Sequence, residues 1–213
     1  MPKAFIGLQF GLSALLGMVV VPSKAVAAEP EMTETIVLVR HGEKPALGLG
    51  QLDCQGLNRA LALPAVIAKG FGKPDVIFAP DPAETKNDNG QPYDYVRPLA
   101  TIEPTAIAFG LPVDASIGVS NIEALRQRLD APAYRGALVL VAWEHTDIVK
   151  LARLLMANYG GDSNIVPDWK GRDFDSIYVV RITRSGEVAR VVFEHRREGL
   201  DGEPTACPGQ APG

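Results

Sequence analysis

The stretch Thr35-Ile36-Val37-Leu38-Val39-Arg40-His41-Gly42-Glu43-Lys44-Pro45 decides how this chain is read. Its first five residues are mostly β-branched and almost wholly apolar, which predicts a buried strand. Arg40 and His41 then emerge where that strand delivers side chains to the carboxyl edge of a sheet. Open α/β folds bind their ligands at that edge. A guanidinium offers a planar fork of donors that matches phosphate oxygens, and an imidazole beside it can attack phosphorus. Gly42 carries no side chain to keep those oxygens from the backbone.

Outward from this segment, strand-like and helix-like patterns alternate. Strands are predicted over Ile36–Val39, Asp75–Ala79 and Gly136–Ala142. Helices are predicted over Gln55–Lys69, kinked at Pro64, and over Leu99–Phe109, with Pro104 a candidate break and Gly110 the stop. Two more follow at Ile122–Leu129 and Asp147–Tyr159. Asp81–Val96 is rich in Asp, Asn, Gly and Pro and reads as a loop, either a lid or a disordered insertion, with Tyr93 and Tyr95 able to line a cavity. Ser176–Ile182 and Val188–Glu194 flank a turn and read as a hairpin. Alternation of this kind predicts an α/β three-layer sandwich. Its central sheet is mainly parallel, with helices on both faces and the antiparallel C-terminal hairpin at the edge.

The chain has 213 residues, enough for one well-buried domain. Residues 1–27 read as a secretory signal: Lys3 precedes an apolar run, and Ala25-Val26-Ala27 has small residues where a signal peptidase cuts, after Ala27 first and Ala28 second. An uncleaved anchor is the alternative. The expected mature domain is 28–213, with a Pro/Gly-rich tail over 202–213. Cleavage removes Lys3 and Lys24, leaving 19 basic residues against 25 acidic ones, a net −6. That balance argues against nucleic acid as a partner. No second apolar segment is long enough to span a bilayer, so a periplasmic or secreted product without membrane contact is expected. Cys54 and Cys207 would meet an oxidising compartment, where they are either bridged or two free thiols.

Three further segments stand in order behind the first. They are Leu52-Asp53-Cys54-Gln55-Gly56-Leu57-Asn58-Arg59-Ala60, Arg97-Pro98-Leu99-Ala100-Thr101 and Val139-Leu140-Val141-Ala142-Trp143-Glu144-His145. Together with Arg40-His41-Gly42 they resemble the motif series of the histidine phosphatase superfamily, the phosphoglycerate mutase-like and acid phosphatase-like enzymes. The resemblance implies a phosphate pocket of Arg40, His41, Arg97 and His145, with His41 the nucleophile that forms a phosphohistidine. It implies a phosphomonoester hydrolase acting on a small phosphorylated substrate, with no metal and no cofactor. Three scattered histidines also lack metal-ligand spacing. A phosphohistidine (protein) phosphatase, a phosphomutase and a non-catalytic phosphate- or phosphosugar-binding module are the alternatives on the same fold.

The chain departs from the series in three places. Thr146 stands where acid phosphatases carry an acid directly after the second histidine, so the proton donor is Glu144 first, with Asp147 and Glu84 as other candidates. Asp147 also suits a helix cap. Lys44 stands where a further arginine is common, either contacting phosphate or solvated. Sixteen residues, 81 to 96, separate Pro80 from Arg97, where compact members have only a few. Arg59 reads as a structural ion-pair partner and His195 as a surface residue.

Overall fold

The computed structural model describes residues 1–4, 7 and 30–209. Apart from residues 1–4 and 7, the expected signal segment and its cleavage point lie outside the described residues.

A six-stranded sheet forms the middle layer. Its strands are β1 (Met32–Arg40), β2 (Val76–Pro80), β5 (Val113–Ile117), β6 (Leu138–Trp143), β7 (Ser176–Ser185) and β8 (Val188–Arg197), in the order β5-β2-β6-β1-β7-β8. The pairs β1/β6, β2/β6 and β2/β5 are parallel; β7 runs antiparallel to β1, and β8 to β7. The expected C-terminal hairpin therefore forms one edge. A separate two-stranded ribbon joins β3 (Thr85–Asp88) to β4 (Gln91–Asp94).

The central strands are apolar on both faces because helices cover both. Val37 and Val39 of β1 pack with Leu63 and Ile67 of α1 (Cys54–Gly70) and with Ile102 and Ala106 of α2 (Arg97–Phe109). The alternate residues Ile36 and Leu38 pack with Leu125 of α3 (Ile122–Leu129) and with Ile148, Leu151 and Leu155 of α4 (His145–Asn158). The strand period of two thus sends neighbouring side chains into two separate cores.

Four local expectations are corrected. Asp81–Val96 is not an irregular loop, because Asn89 and Gly90 take positive φ (53° and 83°) and close a two-residue turn between β3 and β4. Pro64 and Pro104 both lie inside continuous helices, so α2 is not broken. Helix α4 begins at His145 and is capped by Glu144, not Asp147. Strand β5 was not expected, since Asp114 and Ser116 interrupt its apolar residues. Cys54 and Cys207 are disulfide-bonded with Cα atoms 4.5 Å apart, tying the tail to the start of α1. The Asn58 amide adds two bonds there, donating to the Pro204 and Ala206 carbonyls at 2.7 and 2.8 Å.

Candidate active site

Parallel pairing of β1 with β6 places Arg40 opposite Trp143. The residues that leave the two strands, His41 from one and Glu144-His145 from the other, therefore emerge side by side. The His41 amide continues the ladder, donating to the Trp143 carbonyl at 3.1 Å. Arg97 arrives from a third direction, as the first residue of α2. Its turn is fixed by amide bonds from Val96 and Arg97 to the Gly50 carbonyl (3.1 and 3.0 Å). Pro98 suits the first helical turn because its missing N–H has no partner there.

These residues line a cavity of about 170 Å³ whose walls include Arg40, His41, Arg97, Glu144, His145 and Lys44. The rest of the wall comes from the ribbon and its exit: Lys86, Asn87, Asp88 and Tyr95. Counted with neutral imidazoles, its four cations (Arg40, Lys44, Lys86, Arg97) and two carboxylates (Asp88, Glu144) leave a net +2. A phosphomonoester carries nearly the opposite charge at neutral pH. A larger cavity, about 560 Å³, runs beside α4 from Thr146 to Ala157, but neither histidine of the motifs lines it.

His41 is 3% exposed. Its Nδ1 lies 2.7 Å from the Gly42 carbonyl oxygen, which can only accept, so Nδ1 carries the proton and Nε2 keeps its lone pair. Burial, reinforced by the charges of Arg40 and Arg97, pushes its pKa down to about 3 against the pull of the Gly42 bond. The ring stands edge-on to Tyr95 (centroids 6.0 Å) and tilted against Phe174 (6.1 Å).

Arg40 is clamped from the loop before β7: its Nη1 donates to the Gly171 and Asp173 carbonyls at 2.9 and 2.7 Å, and its guanidinium lies 3.9 Å over the Phe174 ring. Burial lowers its pKa to about 10, so it remains charged at neutral pH. Besides His145 Nδ1, which faces Glu144 Oε1, three buried groups on this wall have no hydrogen-bond partner among the described residues: Arg40 Nε, Arg97 Nε and the Tyr95 hydroxyl. Buried donors left unpaired are costly, and an anion in the cavity would satisfy them.

Three residues differ from their expected roles. Gly42 does not line the cavity. Its amide donates to Thr101 Oγ1 at 2.9 Å, and a Cβ on it would lie 2.8 Å from the Gly56 carbonyl oxygen. The missing side chain admits the backbone of α1, not phosphate oxygens. Neither Glu84 nor Asp147 lines the cavity; Glu84 is exposed, whereas Asp147 is half-buried beside the cavity-lining Lys86. Glu144 is tied down as a base: its Oε2 accepts from the Thr146 and Asp147 amides at 2.8 and 3.2 Å, and its Oε1 touches His145 Nδ1. Burial pushes its carboxyl up, but the His145 and Thr146 contacts outweigh this and hold it well below the usual range. A carboxylate so held orients His145 and has no proton to give.

Lys44 lines the cavity and is paired with Asp88, 3.1 Å away, rather than standing free. The fully buried Arg59 is a structural hub, 2.7 Å from both Glu43 and Glu198. Exposed His195 meets the Ser176 hydroxyl at 2.8 Å, outside the cavity. The residues that sequence reading missed are Lys86, Asp88 and Phe174. For the first two the Asn89-Gly90 pair was a usable signal of a hairpin, since two-residue turns favour it; nothing local marks Phe174.

One solved structure aligns at a TM-score of 0.50. It is a mycobacterial glucosyl-3-phosphoglycerate phosphatase in complex with inorganic phosphate, 16% identical, with 76% of this chain and 95% of that one covered. The chain has the histidine phosphatase fold. Other solved structures that match include SixA from Nakamurella multipartitia (18% identity, TM-score 0.48, 76% and 96% covered). A phosphoserine phosphatase mutant from Entamoeba histolytica bound to phosphoserine is another (9% identity, TM-score 0.45, 78% and 98% covered). No protein-family model matches the chain, and no curated protein matches it.

Proposed function

We propose that this histidine phosphatase fold carries an exported phosphomonoester hydrolase that works through a phosphohistidine on His41. The observation that carries the reading is His41 itself, neutral, with Nδ1 committed to Gly42 and Nε2 left free among arginines. A buried imidazole kept uncharged beside two guanidiniums suits attack on an anion whose charge those guanidiniums neutralise. The cavity wall is cationic around His41, which repels a metal ion and supports metal-independent chemistry. The signal-like segment and the Cys54–Cys207 disulfide support export.

In the first step the Nε2 lone pair forms a bond to phosphorus while the ester P–O bond breaks. Arg40, Arg97 and His145 hold the equatorial oxygens. The leaving alkoxide takes a proton from Asp147, on the first turn of α4 and 3.9 Å from Lys86. Asp147 suits this better than Glu144, because burial raises its pKa from the ordinary value while Glu144 is held down as a carboxylate. In the second step water attacks phosphorus and gives its proton to Asp147. The N–P bond breaks, and its electrons return to Nε2. The test is a phosphomonoester panel with and without chelator, beside His41→Ala. Turnover should survive chelator and disappear in the variant, and rapid quench should trap acid-labile phosphate on His41. Phosphate binding without turnover in the wild type would leave a binding module instead.

A further inference from the structure

We infer that Asp88 is a positioning residue, holding Arg97 so that the Nε edge of its guanidinium faces the phosphate. The inference rests on the phosphatase reading above. A guanidinium presents two donor forks, one at its Nη1/Nη2 end and one along its Nε/Nη2 side. Asp88 fills the end fork: Oδ2 pairs with Nη1, and Oδ1 lies 3.3 Å from Nη2. The Gly48 carbonyl, at 3.4 Å, takes the remaining Nη1 proton. What is left is the side fork, and its Nε is buried without a partner.

Asp88 is itself fixed from two other sides. Lys44 Nζ and the Gly50 amide each donate to it at 3.1 Å, and the carboxylate is 5% exposed. Burial pushes its pKa up, but Arg97 and Lys44 outweigh that and keep it ionised. The ribbon carries Asp88 in next to its Asn89-Gly90 turn and so aims Arg97. Arg40 follows the same plan by other means. Its Nη1 is spent on two carbonyls, and its Nε is also buried and unpaired. Two arginines are thus anchored through Nη1 and present matching edges.

The test compares Asp88→Asn, Arg97→Ala and the double variant with wild type. The readouts are inorganic phosphate affinity by calorimetry and kcat/KM on p-nitrophenyl phosphate, with thermal unfolding to verify folding. Loss of an oriented charge-assisted fork predicts about 10- to 100-fold weaker phosphate binding in Asp88→Asn. The double variant should be no worse than Arg97→Ala, since Asp88 acts only through that arginine. In the wild type, the Arg97 Nε–H resonance should move on titration with phosphate, a readout that needs no variant to fold. Equal or tighter phosphate binding in Asp88→Asn, additive losses, or a static Nε–H resonance would overturn the inference. A wild type that neither binds phosphate nor turns over any ester would sink the phosphatase reading and this with it. A working wild type beside an unimpaired Asp88→Asn removes Asp88 alone.

Discussion

Gly42→Ala tests how closely the nucleophile depends on the packing of α1. The added methyl would lie 2.8 Å from the Gly56 carbonyl oxygen, 2.9 Å from its Cα and 3.2 Å from its carbonyl carbon. All three are backbone atoms, so no rotamer change gives relief. Restoring ordinary contact requires the exit of β1 and the start of α1 to part by about 0.6 Å, in an interior that compresses little. Overpacking of this kind costs about 1–3 kcal/mol. The bond from the Gly42 amide to Thr101 Oγ1 would stretch with it. His41 is the adjacent residue, and because a 1 Å misplacement can cost about 100-fold, the shift predicts about a tenfold loss in kcat. Urea unfolding gives the first quantity and steady-state hydrolysis of an aryl phosphate the second. The reciprocal change, Gly56→Ala, presses a methyl onto the Glu43 backbone, with Glu43 N only 2.7 Å away. It should destabilise even though alanine favours a helix over glycine by about 1 kcal/mol. Unfolding free energy within about 0.5 kcal/mol of wild type and an unchanged kcat in Gly42→Ala would refute the reasoning.

Arg59→Leu should cost about 3–5 kcal/mol in chemical denaturation, because it strands Glu43 and Glu198 without their buried cation. The loss should be smaller at pH 5 than at pH 8, since burial already pushes Glu198 up to about 8 and a protonated carboxyl needs no partner. Cys207→Ser opens a loop of 153 positions, for which chain entropy sets a ceiling of about 5 kcal/mol. Reduced wild type should show the same lowered urea midpoint, and a midpoint insensitive to reductant would argue against any stabilising role. With His41 neutral down to about 3, kcat/KM should not fall as pH drops through 6.5. Its decline should come as pH rises and Asp147, its pKa raised by burial, loses the proton it donates. Asp147→Asn should flatten that limb and slow alkyl esters more than p-nitrophenyl phosphate.

Much of the site was legible because its motifs are local. Strand ends and helix starts fix where Arg40, His41 and His145 leave the backbone, and a buried strand declares itself by composition. The proposed acid was not legible. Glu144 and Asp147 are the same chemistry three residues apart, and only the start of α4 at His145 turns one into a cap and leaves the other half-buried. Helix α2 runs through Pro104 because burial of Ile102, Thr105 and Ala106 outweighs the lost backbone bond.

Neighbouring residues alone were enough to show an α/β sheet with an arginine and a histidine at a strand's carboxyl edge, since they carry both the hydrophobic period and the residue chemistry. That Asp88 grips Arg97, that Gly42 yields to α1 and that Phe174 covers Arg40 emerge only in the folded chain. Each of those is a contact between segments distant along the chain, whose geometry depends on strand order and register, and no local pattern encodes either.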